Sequence, residues 1–163
     1  MKYLLIVVCV VCCIMAGLLC GKHLKKKARF YSDLCLFCED LMLEIKGKLQ
    51  TLPNFVSTHK NMFGKEFSIV LDKYEDYLSG KIEQKEFFDL EISSLSSNEV
   101  KDVCVFLMGL GNFLTEEELT KLQVNKSKFQ LKSKACDESK NKFYGTYMKL
   151  FVVAGVAFAI IFL

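Results

Sequence analysis

Apolar residues follow two different patterns along this chain of 163 residues. At each end they run together, since no charged residue lies in 3–21 or in 150–163. As a helix, the first run is about 28 Å long, and the second, extended back to Phe143, is about 31 Å long, close to the thickness of a hydrocarbon core. The pattern predicts N- and C-terminal transmembrane helices over 1–21 and 143–163 and a polar domain over 22–142.

Basic residues lie on the inner side of both apolar runs and predict their orientation. Only Lys2 precedes the first run, and no Lys or Arg follows the second. Those on the inner sides are Lys22, Lys25, Lys26, Lys27 and Arg29, then Lys140, Lys142 and Lys149. Lys149 lies inside the extended second run, where a long side chain can reach the headgroups. Because cytoplasmic flanks carry the excess of Lys and Arg, we expect a cytoplasmic central domain and both termini outside.

A secreted protein is the alternative to this topology. A secretory signal has its positive charges before the apolar stretch, whereas here they follow it. A lipoprotein site needs a small residue before the modified cysteine, and Leu19 precedes Cys20. Both features favour a retained transmembrane helix.

Small residues recur every four positions in both apolar runs. Those that could allow close helix packing in lipid are Cys13, Gly17, Gly21, Gly155 and Ala159. A contact between the two spans, or with another membrane helix, is one interpretation. The other is that small residues are simply common in transmembrane helices, and the sequence does not choose between them.

The central domain shows the three- and four-residue spacing of amphipathic helices. The first such face runs from Phe30 to Leu52 and is expected to end before Pro53, with a loop over 54–61. A second face runs from Phe63 to Leu78 and ends at Gly80. Phe37, Leu41 and Leu107 are predicted to be buried.

Three further helices are expected after Gly80. A short one covers 83–92, and Ser96 with Glu99 has the spacing of a capping box that opens the next. Thr115 and Glu118 form a second such box, opening a long helix. Its apolar seam repeats every seven residues at Leu122, Phe129, Cys136, Phe143 and Leu150. The chain is therefore predicted to be all-α, an antiparallel cytoplasmic helical bundle flanked by two transmembrane helices, with its first and last helices paired.

Composition and motifs indicate a protein without catalytic chemistry. The net charge is only +3 and its excess lies beside the first apolar run, which argues against a nucleic-acid partner. Cys35 and Cys38 form a CxxC on a helical face with no second ligand pair, so core packing is favoured over a metal or redox role. No phosphate loop or dinucleotide fingerprint occurs, so no cofactor is predicted.

Three consecutive acidic residues, Glu116, Glu117 and Glu118, occupy the first turn of the long helix. There they favour the helix dipole, which accounts for them without any partner. The alternative is an acidic docking patch for a basic surface of a partner protein.

The carboxyl half of the chain resembles the stage III sporulation protein AB family. The resemblance rests on LMGLGNFLTEEELTKLQ (107–123), a long polar helix, and YMKLFVVAGVAFAIIFL (147–163). Gly109 and Gly111 approximate the family's paired Leu-Gly motif with a different spacing, and Phe151 replaces an expected Gly. Nearer the front, LMLEIKG (41–47) is similar to a Leu-x-x-Glu-Ile segment of the family.

The resemblance implies a membrane protein of sporulation. Family members are expected in the mother-cell membrane around the forespore, within a transenvelope, secretion-like complex that includes a cytoplasmic ATPase. Their cytoplasmic domain is similar to the inner-membrane platform proteins of type II secretion and type IV pilus systems. The expectation is a non-catalytic scaffold that contacts the ATPase, the other membrane proteins of the complex and the bilayer. The alternatives are a membrane-anchored adaptor or regulator unrelated to sporulation, and an enzyme that uses the Cys35 and Cys38 pair.

Overall fold

The computed structural model describes residues 2–47, 51–111 and 115–142, together with Gly145, Lys149 and Val153. Within 2–20 the side chains described are those of Val11, Met15 and Leu19. The described segments contain helices and connecting turns but no strand, which confirms the all-α prediction for this part of the chain. The helices are α1 Lys2–Gly47, α2 Leu52–His59, α3 Lys65–Leu78, α4 Gln84–Phe88, α5 Ser97–Met108 and α6 Thr115–Lys142, with a 3-10 turn at Lys60–Met62.

The chain divides into two units. One comprises Met1–Ala28 with Lys134–Leu163, and the other is Arg29–Ser133. Within the described residues, no helix contains an apolar stretch long enough to cross a bilayer. Of the small residues predicted to allow close packing of the spans, Gly21 is buried. The burial of Cys13 and Gly17 is not described, and Gly155 and Ala159 lie outside the described residues.

Aromatic side chains form the core of the Arg29–Ser133 unit. Phe37 of α1 meets Phe55 of α2 at 5.5 Å between ring centroids and Phe67 of α3 at 5.6 Å. Phe30 packs edge-on against Phe67 at 5.5 Å. All four rings are almost fully buried, and so are Leu41 and Leu107. The predicted burial of Phe37, Leu41 and Leu107 is therefore confirmed.

Within this unit, α1 and α6 pack against each other in antiparallel order. Tyr31 stacks on Phe129 at 6.3 Å between ring centroids, whereas Glu39, two turns later in α1, contacts Lys126 at 2.7 Å. Leu122 and Phe129 of the predicted seven-residue seam are buried, and Cys136 is half-buried. The seam thus describes the buried stripe of α6 as far as the structure describes it, and Phe143 and Leu150 lie outside that range.

The capping box predicted at the start of α5 is present and also holds α1. The backbone N–H and hydroxyl of Ser96 donate to Glu99 Oε2 at 3.0 and 2.9 Å. The second oxygen, Glu99 Oε1, accepts a hydrogen bond from the hydroxyl of buried Tyr31 at 3.0 Å. A local helix-start signal therefore also joins two helices that are distant in sequence.

The loop predicted over 54–61 is wrong, because residues 52–59 form α2. Pro53 opens this helix instead of ending the preceding one, since a proline ring sets a helical φ and its missing N–H needs no partner in the first turn. Burial of Phe55 and Val56 then holds α2 against the core. The short helix expected over 83–92 covers only Gln84–Phe88.

A buried carboxylate on α1 binds the start of α3. Asp33 is 9% exposed, and its Oδ2 accepts a hydrogen bond at 3.0 Å from the N–H of Gly64, the residue that caps α3. Burial raises the pKa of Asp33 above its ordinary value, against the opposing effects of this N–H and of Arg29. Ionised Asp33 is therefore less stable in the folded chain than in the unfolded one.

This environment predicts a pH dependence that belongs to Asp33. The folded carboxyl keeps its proton to a higher pH than the unfolded one, so its contribution to stability is largest at low pH. That contribution falls as pH rises from the ordinary pKa to the raised folded pKa, and is constant above it. We expect Asp33→Asn, which retains an acceptor for Gly64, to gain stability relative to the native chain across this window. Denaturant titrations of both chains at a series of pH values measure the difference, and parallel curves would contradict the assignment.

Candidate docking surfaces

The acidic residues at the start of α6 occupy different environments. Glu116 and Glu117 are exposed, whereas Glu118 is 5% exposed. Glu118 Oε1 accepts a hydrogen bond at 3.1 Å from the N–H of Gly111, whose φ of +79° turns the chain after α5. Of the predicted acidic patch, only Glu116 and Glu117 are therefore on the surface, while Glu118 stabilises the turn.

The second oxygen of Glu118 is buried, and among the described residues no hydrogen-bond donor reaches it. Tyr74 lies close enough that the Glu118 charge adds to the effect of burial in raising the tyrosine pKa. The Tyr74 hydroxyl donates instead to the Leu107 carbonyl at 2.6 Å. The structural role of Glu118 thus rests on one oxygen and one backbone N–H.

We expect Glu118→Ala to lower the free energy of unfolding by about 1–3 kcal/mol, the usual contribution of a hydrogen bond to a charged group. The matched variant Glu117→Ala, one residue earlier and exposed, is expected to change it by less than about 0.5 kcal/mol. Equal values for the two variants in a denaturant titration would show that the hydrogen bond to Gly111 does not stabilise the turn.

Helices α5 and α6 run antiparallel and contact each other through aromatic and charged pairs. Phe106 meets Phe129 edge-on at 5.1 Å between ring centroids, and Asp102 faces Lys132 at 3.5 Å. The Lys132 ammonium also lies 5.4 Å from the centre of the Tyr31 ring. These contacts hold the two helices at a defined separation.

A groove of about 680 Å³ lies between α5 and α6. Its apolar lining includes Val105 and Val124, which are 60% and 50% exposed. Its polar lining includes Lys121, Lys128 and Lys132, together with Asp102 and Glu118. The apolar spacing predicted the burial of Leu107 on α5 and of the α6 seam, but not this groove. Its only signal in the sequence is that Val105 and Val124 are apolar residues outside those positions.

The cysteine pair on α1 is placed for packing. Cys38 is fully buried and Cys35 is half-buried, with its Sγ 3.6 Å from the Lys126 carbonyl oxygen. Burial raises the pKa of both thiols, so the reactive thiolate is disfavoured at neutral pH. This environment favours packing over a redox role. Within the described ranges, no group of three or more His, Cys, Asp or Glu could hold a metal ion.

The described part of the chain is helical, with an exposed acidic turn at the start of α6 and an open groove between α5 and α6. The sequence model of stage III sporulation protein AB matches residues 2–163, so the chain belongs to the stage III sporulation protein AB family. Comparison with curated proteins and with solved structures gave no match. The family is one of sporulation, which favours that role over a regulator unrelated to spores.

Proposed function

We propose that this chain is a non-catalytic membrane platform of a secretion-like complex between mother cell and forespore, and that it docks a cytoplasmic ATPase. Membership of the sporulation family supports the setting. The helical Arg29–Ser133 unit, with its exposed acidic turn and its open groove, supports a scaffold role.

One observation carries the membrane part of the proposal. Helix α1 continues without a break from Lys2 to Gly47, and Val11, Met15 and Leu19 are all more than half exposed along it. Their spacing of four residues aligns them on one side of the helix. Exposed apolar side chains in an uncharged stretch, followed by a cluster of lysines, suit a helix that lies in lipid and leaves it at the cytoplasmic face.

The proposed topology can be tested by thiol labelling of the full chain. In a variant without its eight native cysteines, single cysteines are placed at Lys2, Asn61 and Leu163, Asn61 being exposed next to α2. In intact, non-sporulating cells that express the chain, an impermeant maleimide should label the two terminal positions. Asn61→Cys should react only after lysis, and its labelling in intact cells would reject the proposed topology.

We further propose that Glu116 and Glu117 bind a basic surface of the ATPase. Both are exposed, at adjacent positions in the first turn of α6. Reversing these two alone, as Glu116→Lys with Glu117→Lys, leaves the Glu118 bond to Gly111 intact, so the turn after α5 is retained. Co-purification of the ATPase with the full chain from membranes should then decrease.

The matched control is Glu86→Lys with Glu91→Lys, which makes the same charge change at two exposed positions in and just after α4. It should leave co-purification unchanged. If both pairs weaken binding equally, net charge and not the start of α6 governs the interaction. If neither does, the patch has no part in docking.

A further inference from the structure

The α5–α6 groove has the shape of a site for a third helix. Its α5 wall contains Asp102, Val105, Phe106 and Gly109, the spacing of one helix face. Its α6 wall extends from Glu118 to Lys132, about 21 Å at the rise of an α-helix. A groove of this length between two helices accommodates roughly four turns of another helix.

The apolar lining of the groove is open to solvent. Val105 and Val124 lie on opposite walls, and Phe106, next to Val105 on α5, is only half-buried. A single exposed valine is ordinary on a protein surface, but here apolar side chains of two helices line the same concave surface. An occupant with an apolar face would remove these side chains from water.

The charged residues around the groove indicate the sign of the charge that the occupant carries. Three lysines, Lys121, Lys128 and Lys132, line it together with two carboxylates, Asp102 and Glu118, and Asp102 pairs with Lys132 at 3.5 Å. Glu118 contributes little to the surface because it is 5% exposed. The rim is therefore net positive and complementary to acidic groups.

We propose that the α5–α6 groove binds an acidic amphipathic helix of a partner protein, with its apolar stripe on Val105 and Val124 and its carboxylates beside Lys121 and Lys128. Such helix-in-groove recognition combines an apolar anchor with flanking charges. A second copy of this chain is a poorer occupant, since a symmetric contact would place the lysine rim against itself. The site does not depend on the ATPase proposal and is distinct from Glu116 and Glu117.

The test uses the full chain in neutral detergent and a designed helical peptide of about 18 residues, roughly 27 Å long. The peptide has leucines on one face and glutamates on its flanks, and a second peptide has lysine in place of every glutamate. In fluorescence anisotropy, the acidic peptide should bind at least about tenfold more tightly than the basic one. Lys121→Glu with Lys128→Glu should reverse this preference. Equal affinity of the native chain for the two peptides would overturn the proposal.

Matched variants separate the groove from general charge attraction. Lys73→Glu with Lys85→Glu, at exposed positions on α3 and α4, should leave the preference for the acidic peptide in place. Val105→Asp should weaken the acidic peptide about tenfold or more, whereas Ile69→Asp, 44% exposed on α3, should not. If Val105→Asp leaves the affinity for the acidic peptide unchanged, charge attraction alone explains the binding and the groove proposal is wrong. Sedimentation that shows a dimer broken by Val105→Asp would assign the groove to a second copy and also overturn the proposal.

Discussion

Replacing Phe37 by Ala is expected to lower the free energy of unfolding by about 3–5 kcal/mol, the usual cost of removing a buried phenylalanine. The ring of Phe37 is fully buried and packs against Phe55, Phe63 and Phe67 at 5.5–6.0 Å between centroids. These three rings, from α2 and from the residues around the start of α3, would line the resulting cavity. Denaturant titration followed by tyrosine fluorescence measures the loss, because the chain contains no Trp.

Leu36→Ala is the control for this variant. Leu36 lies one position earlier on the same helix but is 48% exposed. We expect its truncation to cost less than about 0.5 kcal/mol, which is typical of a surface position. If Leu36→Ala and Phe37→Ala lower the free energy of unfolding by similar amounts, the face of α1 that carries Phe37 is not the one packed in the core.

Gly64→Ala is expected to destabilise the chain by about 1–3 kcal/mol, the usual range for inserting a methyl group into a packed site. A Cβ at Gly64 would lie 2.5 Å from Asp33 Oδ2 and 3.2 Å from Arg29 Nε. The carboxylate must then move away, and the hydrogen bond that joins α1 to the start of α3 is lost with it. Denaturant titration of the full chain measures this loss.

Two comparisons make this prediction specific. Gly109→Ala also places a methyl group at a helix end, but there its nearest contacts are ordinary ones at 3.4 Å, so little change is expected. In an Asp33→Ala background the clash is relieved, and Gly64→Ala should cost clearly less than in the native chain. Additive losses would show that the two residues act independently.

Local signals predicted several elements of the fold correctly. The Ser96 and Glu99 box opens α5, and Gly80 follows the end of α3 with a φ of +72°. The apolar spacing that marked Phe37 and Leu107 as core positions also holds. These features depend on neighbouring residues along one helix, so a sequence displays them directly.

The same local reasoning failed at α2. The rule that a residue before proline avoids helical angles favoured a helix end before Pro53. Proline is also common in the first turn of a helix. Whether a helix ends before Pro53 or begins near it depends on where Phe55 and Val56 become buried. That burial needs Phe37 of α1 and is not visible in residues 52–59 alone.

The candidate sites show the same division. The sequence displayed three glutamates as one group, but the structure turns Glu118 inward to the Gly111 N–H and leaves Glu116 and Glu117 on the surface. Val105 and Val124 are unremarkable apart from their lying outside the predicted faces. They become one surface only because α5 and α6 are held together by Phe106 and Phe129.

By itself, the sequence of this protein determined the helical class, the cap of α5 and the buried stripes of its helices, and its motifs carry the family resemblance. The three structural features follow from residue spacing within a few turns, because helix propensity, capping and amphipathicity act over that range. The tertiary structure alone decided the helix that contains Pro53, the Asp33 contact with Gly64, the burial of Glu118 and the α5–α6 groove. These depend on groups that are distant in sequence, and burial and hydrogen bonding between such groups exist only once the helices have packed.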